Sequence, residues 1–203
     1  MKSDVIIIGG GAGGLSCGIT LASAESKPWF NNRRIVIVDD NRSDLSKAML
    51  NNAPGVLPGT SGMELLQQLH SQLAQYESAS QFEASCLTAS RSADGSFQIR
   101  LDNDMELHAA KLVLATGYKR FEVEGLPIAP EPHPRGGKTD RIMLQHDGVY
   151  GIETDLHVAG LLAGGSSQFA IAAGIGAQVA VEILSEWAGK RTHVHETVRP
   201  SRS

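Results

Sequence analysis

The sequence has too few cysteines for a disulfide framework or a thiolate-metal cluster. It holds only Cys17 and Cys86, far apart. They form no Cys-x-x-Cys redox pair and no cysteine metal cluster. One disulfide between them stays open, but two reduced thiols in a cytoplasmic protein is the simpler reading. There is no basic surplus: 18 Lys and Arg stand against 22 Asp and Glu, for a net charge of -4. That argues against a nucleic-acid or anionic-membrane partner. Aromatics make up only 5%. No signal peptide is recognisable, because the apolar run Val5 to Ile8 is short and ends in glycines. No stretch reads as long and apolar enough to span a membrane. No internal repeat is present.

What the chain has in quantity is glycine, 22 of 203 residues. Such a share marks backbone that turns tightly or approaches a ligand. At 41% hydrophobic and 20% charged, the composition is ordinary for a globular chain able to bury a core.

The run Asp4 to Ile8 is apolar on both faces, which predicts a strand inside a parallel sheet. Leu15 to Ala24 predicts a helix with small residues on one face. Glu25 to Arg34 predicts a loop, and Arg34 to Val38 a second buried strand ending at Asp39-Asp40. This is a βαβ unit. Met63 to Tyr76 carries leucines at helical spacing. Phe82 to Ala89, Ser96 to Leu101 and Glu106 to Ala109 predict a three-stranded antiparallel layer. Lys111 to Ala115 predicts a central strand, Phe121 to Lys138 an irregular segment, Val149 to Ala159 a strand, and Gln168 to Trp187 a long helix. The expected organisation is one domain over residues 1–188 and a poorly ordered tail over 189–203.

Between first strand and first helix stands Gly9-Gly10-Gly11-Ala12-Gly13-Gly14, a G-x-G-x-x-G sequence. Gly9 permits the tight turn, Gly11 lets backbone approach a pyrophosphate, and Gly14 lets helix pack on strand. The helix N-terminus then offers free N–H donors to phosphate. Asp39, 25 residues beyond Gly14, ends the next strand, where a carboxylate can accept from a ribose diol. An acid there argues against a 2′-phosphate. The loop alone does not separate FAD from NAD.

Further along, Asn52-Ala53-Pro54-Gly55 through Ser61-Gly62-Met63-Glu64-Leu65 resembles the N-x-P-G to S-G-x-E-L segment of thioredoxin reductases. Ala115-Thr116-Gly117 resembles the Ala-Thr-Gly strand end of the same flavoproteins. Val158-Ala159-Gly160, followed by Gln168 and Ala172 to Ala177, resembles their last FAD motif and closing helix. The matches run in order and cover most of the chain. The resemblance implies an α/β fold of Rossmann-like FAD/NAD(P)-binding type, with a parallel sheet, helices and an antiparallel layer. It implies FAD, with Gly9, Gly11, Ala12 and Gly14 at the pyrophosphate and Asp39 at the adenosine ribose. Asn52 would lie near the isoalloxazine, Ala115, Thr116, Gly117 and Gly160 along the cofactor, and Gln168 and Phe169 at the flavin N1 and O2 edge. A helix N-terminus there would stabilise the negative charge of reduced flavin.

Three departures stand against that family pattern. Thioredoxin reductases insert an NADPH domain after the Ala-Thr-Gly strand, but here only Tyr118 to Val149 fills the gap. The Cys-x-x-Cys carried by that domain is absent. The Gly-Asp of the last motif is Gly160-Leu161, which loses a carboxylate bond to the ribityl chain. The expectation is therefore a small FAD-dependent oxidoreductase reduced by free NAD(P)H or by a redox partner protein, with a homodimer as an option. Two rivals remain: a non-catalytic flavin-binding or redox-sensing module acting through a partner, and an NAD-binding protein without flavin. Cys17 and Cys86 read as inert core thiols. His133, His146 and the cluster Arg135, Lys138 and Arg141 lie in the replacement segment. They could serve acid–base or phosphate roles, though plain loop residues are the default. Tyr118 and Trp29 could stack on a ring or simply pack.

Overall fold

A computed structural model describes residues 2–195. Strand β1 (Lys2–Ile8) leads through the glycine turn into α1 (Ala12–Ala22), then into β2 (Ile35–Asp39). A short hairpin, β3 (Met49–Leu50) with β4 (Thr60–Ser61), precedes α2 (Gly62–Leu73). Ser61 caps α2, its hydroxyl accepting from Glu64 N at 3.2 Å. Strands β5 (Ala79–Glu83), β6 (Cys86–Arg91), β7 (Phe97–Leu101) and β8 (Glu106–Leu114) follow. The small pair β9 (Glu131–Pro132) and β10 (Ile142–Met143) comes next. The hairpin β11 (Gly151–Glu153) and β12 (Leu156–Val158) and the long helix α3 (Phe169–Trp187) complete the order.

The main sheet has eight strands, ordered β11-β12-β8-β1-β2-β5, with β6 and β7 branching from β8. Pairings from β12 through β5 are parallel. β1 lies inside the sheet, and its side chains alternate between two cores. Val5 and Ile7 face a layer with Leu15, Leu73, Val179 and Ile183 from the helices. Ile6 and Ile8 face the other side, among Phe97, Ile99, Leu107 and Leu144. A strand covered on both faces must be apolar throughout, as this run is.

Three strand predictions need correction. Phe82 to Ala89 is not one strand. It breaks at Ala84-Ser85, where Ala84 N donates to Asp39 O at 3.0 Å. Phe82 belongs to β5, the edge of the parallel sheet, and the antiparallel layer starts at Cys86. Glu106 to Ala109 and Lys111 to Ala115 are instead a single strand. The first half of β8 pairs antiparallel with β7, the second half parallel with β12, and β1 runs along both. Its pattern changes from alternating to continuously apolar because the second half is covered on both faces. Finally, Val149 to Ala159 folds back on itself at Thr154-Asp155, with Asp155 at φ 63°.

The helices pack through glycine. A Cβ on Gly176 of α3 would stand 2.0 Å from the carbonyl oxygen of Gly13 in α1. That approach bears on another expectation. α3 is, by length and a mean hydropathy of 1.4, apolar enough to cross a membrane, contrary to the sequence reading. Its Ala172, Ile175, Gly176, Val179, Ala180, Ile183 and Leu184 are instead buried in the fold. The tail is described only to residue 195. Thr192 N donates to Ser185 Oγ at 3.1 Å, and Val194 packs on the helix-side core. The remainder of the tail lies outside the described residues.

Candidate nucleotide-binding site

The carboxyl ends of β1, β2 and β8 open on one side of the sheet, the edge at which parallel α/β sheets bind ligands. Gly9 leaves β1 at φ +110°, a conformation that favours glycine, with its N–H on Val38 O at 2.7 Å. Gly14 packs beneath it: a Cβ there would lie 1.9 Å from Gly9 O. Asp39 is buried and steadies the loop, accepting from Gly10 N at 3.0 Å.

Gly9 and Asp39 border a cavity of about 910 Å³, at the large end for ligand pockets. Gly9, Gly11, Ala12, Asp39, Asn52, Ala115, Thr116, Gly117, Gly160, Gln168 and Phe169 all line it. Of the expected site residues only Gly14 does not, since it serves the packing under the loop. Asn52 and Gln168 are 116 residues apart, yet Asn52 Nδ2 donates to Gln168 Oε1 at 3.2 Å. Gln168 stands at the N-cap of α3, whose first turn holds no acid and no side-chain cap. Its leading N–H groups are therefore free for an anion. Thr116 Oγ1 is buried without a hydrogen-bond partner.

The sequence pointed less well to the loops around the cavity. Arg42, Ser43 and Lys119 also line it. Arg42 Nε holds Asp40 at 2.6 Å and its Nη2 reaches Glu122 at 3.5 Å. Lys119 pairs with Asp44. No spacing rule marks such loop residues, because only the fold brings them together. Cys86 lines the cavity as well, and burial pushes its thiol up to about 12. Cys17 is fully buried, and its thiol is raised further by the same cause. Both are free.

The replacement segment is fastened to the turn before α3. His133 accepts from Arg135 N at Nδ1, 3.0 Å away, and its Nε2 meets Leu161 O at 3.1 Å. His146 repeats the arrangement, with Gly148 N at 3.1 Å and Ala163 O at 3.2 Å. Both ring nitrogens are thus engaged in each, and neither ring lines the cavity. Arg135 bonds Gly164 O at 2.9 Å, and Arg141 meets Asp140 at 2.7 Å. His133, His146 and Arg135 therefore fasten the segment.

Residues 3–184 match the family described as pyridine nucleotide-disulphide oxidoreductase. The chain belongs to that family. No curated protein matches it. Among solved structures, an oxidoreductase from Agrobacterium tumefaciens superposes with a TM-score of 0.76 at 15% identity, over 94% of this chain and 100% of that one. A thioredoxin reductase from Gloeobacter violaceus gives 0.74 at 14%, over 98% and 99%. A ferredoxin-flavin thioredoxin reductase from Clostridium acetobutylicum gives 0.65 at 16%, over 93% and 98%. The chain is a pyridine nucleotide-disulphide oxidoreductase family member of thioredoxin reductase-like fold. Among the described residues this member carries no second glycine-rich βαβ unit: only β9, β10 and irregular backbone stand between β8 and β11.

Proposed function

We propose that the protein is an FAD-dependent oxidoreductase whose flavin takes electrons from outside the chain. The observation that carries this is the cavity of about 910 Å³ at the carboxyl ends of the strands. The glycine loop, Asp39 and the open N-terminus of α3 all border it. A dinucleotide with a pyrophosphate in its middle fits a cavity bordered by these groups. Gly9, Gly11, Ala12 and the start of α1 would hold the pyrophosphate, and Asp39 the adenosine ribose. Asn52, Gln168 and Phe169 would hold the flavin end, and Ala115, Thr116 and Gly117 would pack along the cofactor. Bound FAD supplies the acceptance and release of electrons. The chain's own share is to bind, to orient and to place the α3 dipole where reduction brings negative charge.

External reduction is supported by two features. The segment between β8 and β11 holds no second nucleotide cradle among the described residues, and neither cysteine has a partner for a dithiol relay. Free NAD(P)H or a redox partner protein would then serve as donor. One similar structure is described as a ferredoxin-flavin reductase, which supports a protein donor as an option. The same two features favour a second reading, a flavin-binding module without turnover of its own.

The visible spectrum of the purified protein, followed by FAD titration, tests the proposal. A flavin band near ~450 nm, or saturable binding lost in Gly11→Trp, which fills the pyrophosphate path, is expected. Absence of both would sink it and favour NAD binding without flavin. Oxidation of NAD(P)H with an added acceptor then separates the enzyme from the passive module.

A further inference from the structure

We propose that Tyr118 forms the aromatic wall of the cavity's redox end, a fixed ring against which a planar heterocycle packs. The inference rests on the FAD reading above, because that reading places the ring system beside Asn52 and Gln168.

Tyr118 follows Gly117, which stands at φ +80°, and it lines the cavity. Its hydroxyl donates to Ser167 Oγ at 3.3 Å, one residue before Gln168. The side chain therefore reaches the same end of the cavity as the Asn52–Gln168 pair. Behind it lie two groups that do not border the cavity. The Arg141 guanidinium stands 5.0 Å from the ring centre, and the His133 ring makes an edge contact at 5.5 Å. Tyr118 is thus the boundary between the cavity and the fastened segment.

The ring's place is set from several directions. Ile142 N donates to Tyr118 O at 2.8 Å. The next residue, Lys119, pairs with Asp44 from the opposite rim. His133 and Arg135, behind the ring, are tied to Leu161 O and Gly164 O. A ring held this way has little conformational freedom left to lose when a ligand packs on it. A cation behind it adds to its fixed position without entering the cavity. An unbranched aliphatic side chain would serve equally as loop packing. The phenol, on a residue that lines the cavity, provides a flat polarisable surface for an aromatic ligand.

Fluorescence of bound FAD tests this apart from catalysis. An excited isoalloxazine takes an electron from a phenol in contact and returns it, which quenches emission. Wild-type protein, Tyr118→Leu, Tyr118→Trp and Tyr118→Phe are loaded with FAD, and binding is measured by retention on a filter. Circular dichroism checks the fold. Tyr118→Leu should brighten bound FAD severalfold and lengthen its lifetime. Tyr118→Trp should restore quenching, while Tyr118→Phe, which keeps the stack but is harder to oxidise, should stay bright. FAD retained with the same lifetime in wild type and Tyr118→Leu overturns this inference and leaves the FAD reading standing. No FAD retained by folded wild-type protein overturns both.

Discussion

A methyl group added to Gly176 would meet backbone, the Gly13 carbonyl oxygen at 2.0 Å, whereas one added to Gly174 two residues earlier meets nothing within 4 Å. Both lie in α3. Gly176→Ala should therefore destabilise by at least the ~1–3 kcal/mol typical of overpacking. Gly174→Ala should stabilise by ~0.5–1 kcal/mol, through helix propensity alone. Urea unfolding of the two variants checks the opposite signs. The two thiols make a second residue-level prediction. With Cys86 pushed up to about 12 and Cys17 further by complete burial, neither supplies thiolate near neutral pH. A thiol reagent should react slowly with folded protein and take up two equivalents only in denaturant.

His157 adds a pH dependence. Its Nε2 is buried and has no partner. Burial, and then the Lys111 ammonium, hold its pKa below the ordinary 6.5, against the smaller pull of Asp155, Glu186 and Asp147. The unfolded chain then takes up this proton before the folded one does. The associated stability is complete above about pH 6.5 and is lost as pH falls below it. Melting temperature should drop from pH 7 to pH 5, and less so in His157→Leu.

At the scale of elements, the C-terminal end of α3 is tied to β8 by one buried ammonium. Lys111 Nζ meets both Glu186 oxygens at 2.7 Å and also Asp155. The lysine side chain is 5% exposed, but Asp155 and Glu186 are 33% and 61% exposed. Removing the cation leaves two acids that can turn to water. Lys111→Met should therefore stay within about 1 kcal/mol of wild type, whereas the double variant Asp155→Asn, Glu186→Gln strands a buried charge and should cost about 3–5 kcal/mol. Chemical denaturation of both decides. The elements also show what local pattern can carry. The β1-turn-α1-β2 unit was readable because an apolar run, six residues of glycine loop and a terminal acid are all local. The break between β5 and β6 was not readable. Phe82 to Ala89 gives no local sign that its halves hydrogen-bond to β2 and β7 respectively. The continuity of β8 was equally hidden, because the change in its pattern reports a change in covering layers.

Over the whole molecule, a ligand that binds only the folded state must raise its stability. If FAD binds, protein in 100-fold excess of free FAD over the dissociation constant gains ~2.7 kcal/mol. A thermal shift that grows with FAD concentration is expected, and it should vanish in Gly11→Trp. The glycine loop, Asp39 and the Ala-Thr-Gly strand end are legible in the sequence because nucleotide binding uses backbone geometry that few residue types allow. The order of these motifs along the chain carried the fold class for the same reason. Position in space was decided by tertiary structure alone. Asn52 and Gln168 meet across 116 residues, and Tyr118 stands between the cavity and a segment fastened by His133, Arg135 and His146. In the sequence those histidines read by default as plain loop residues, with acid–base chemistry as an option; in the fold they are braces. A side chain's role depends on which backbone groups and cavities surround it, and that follows from long-range packing.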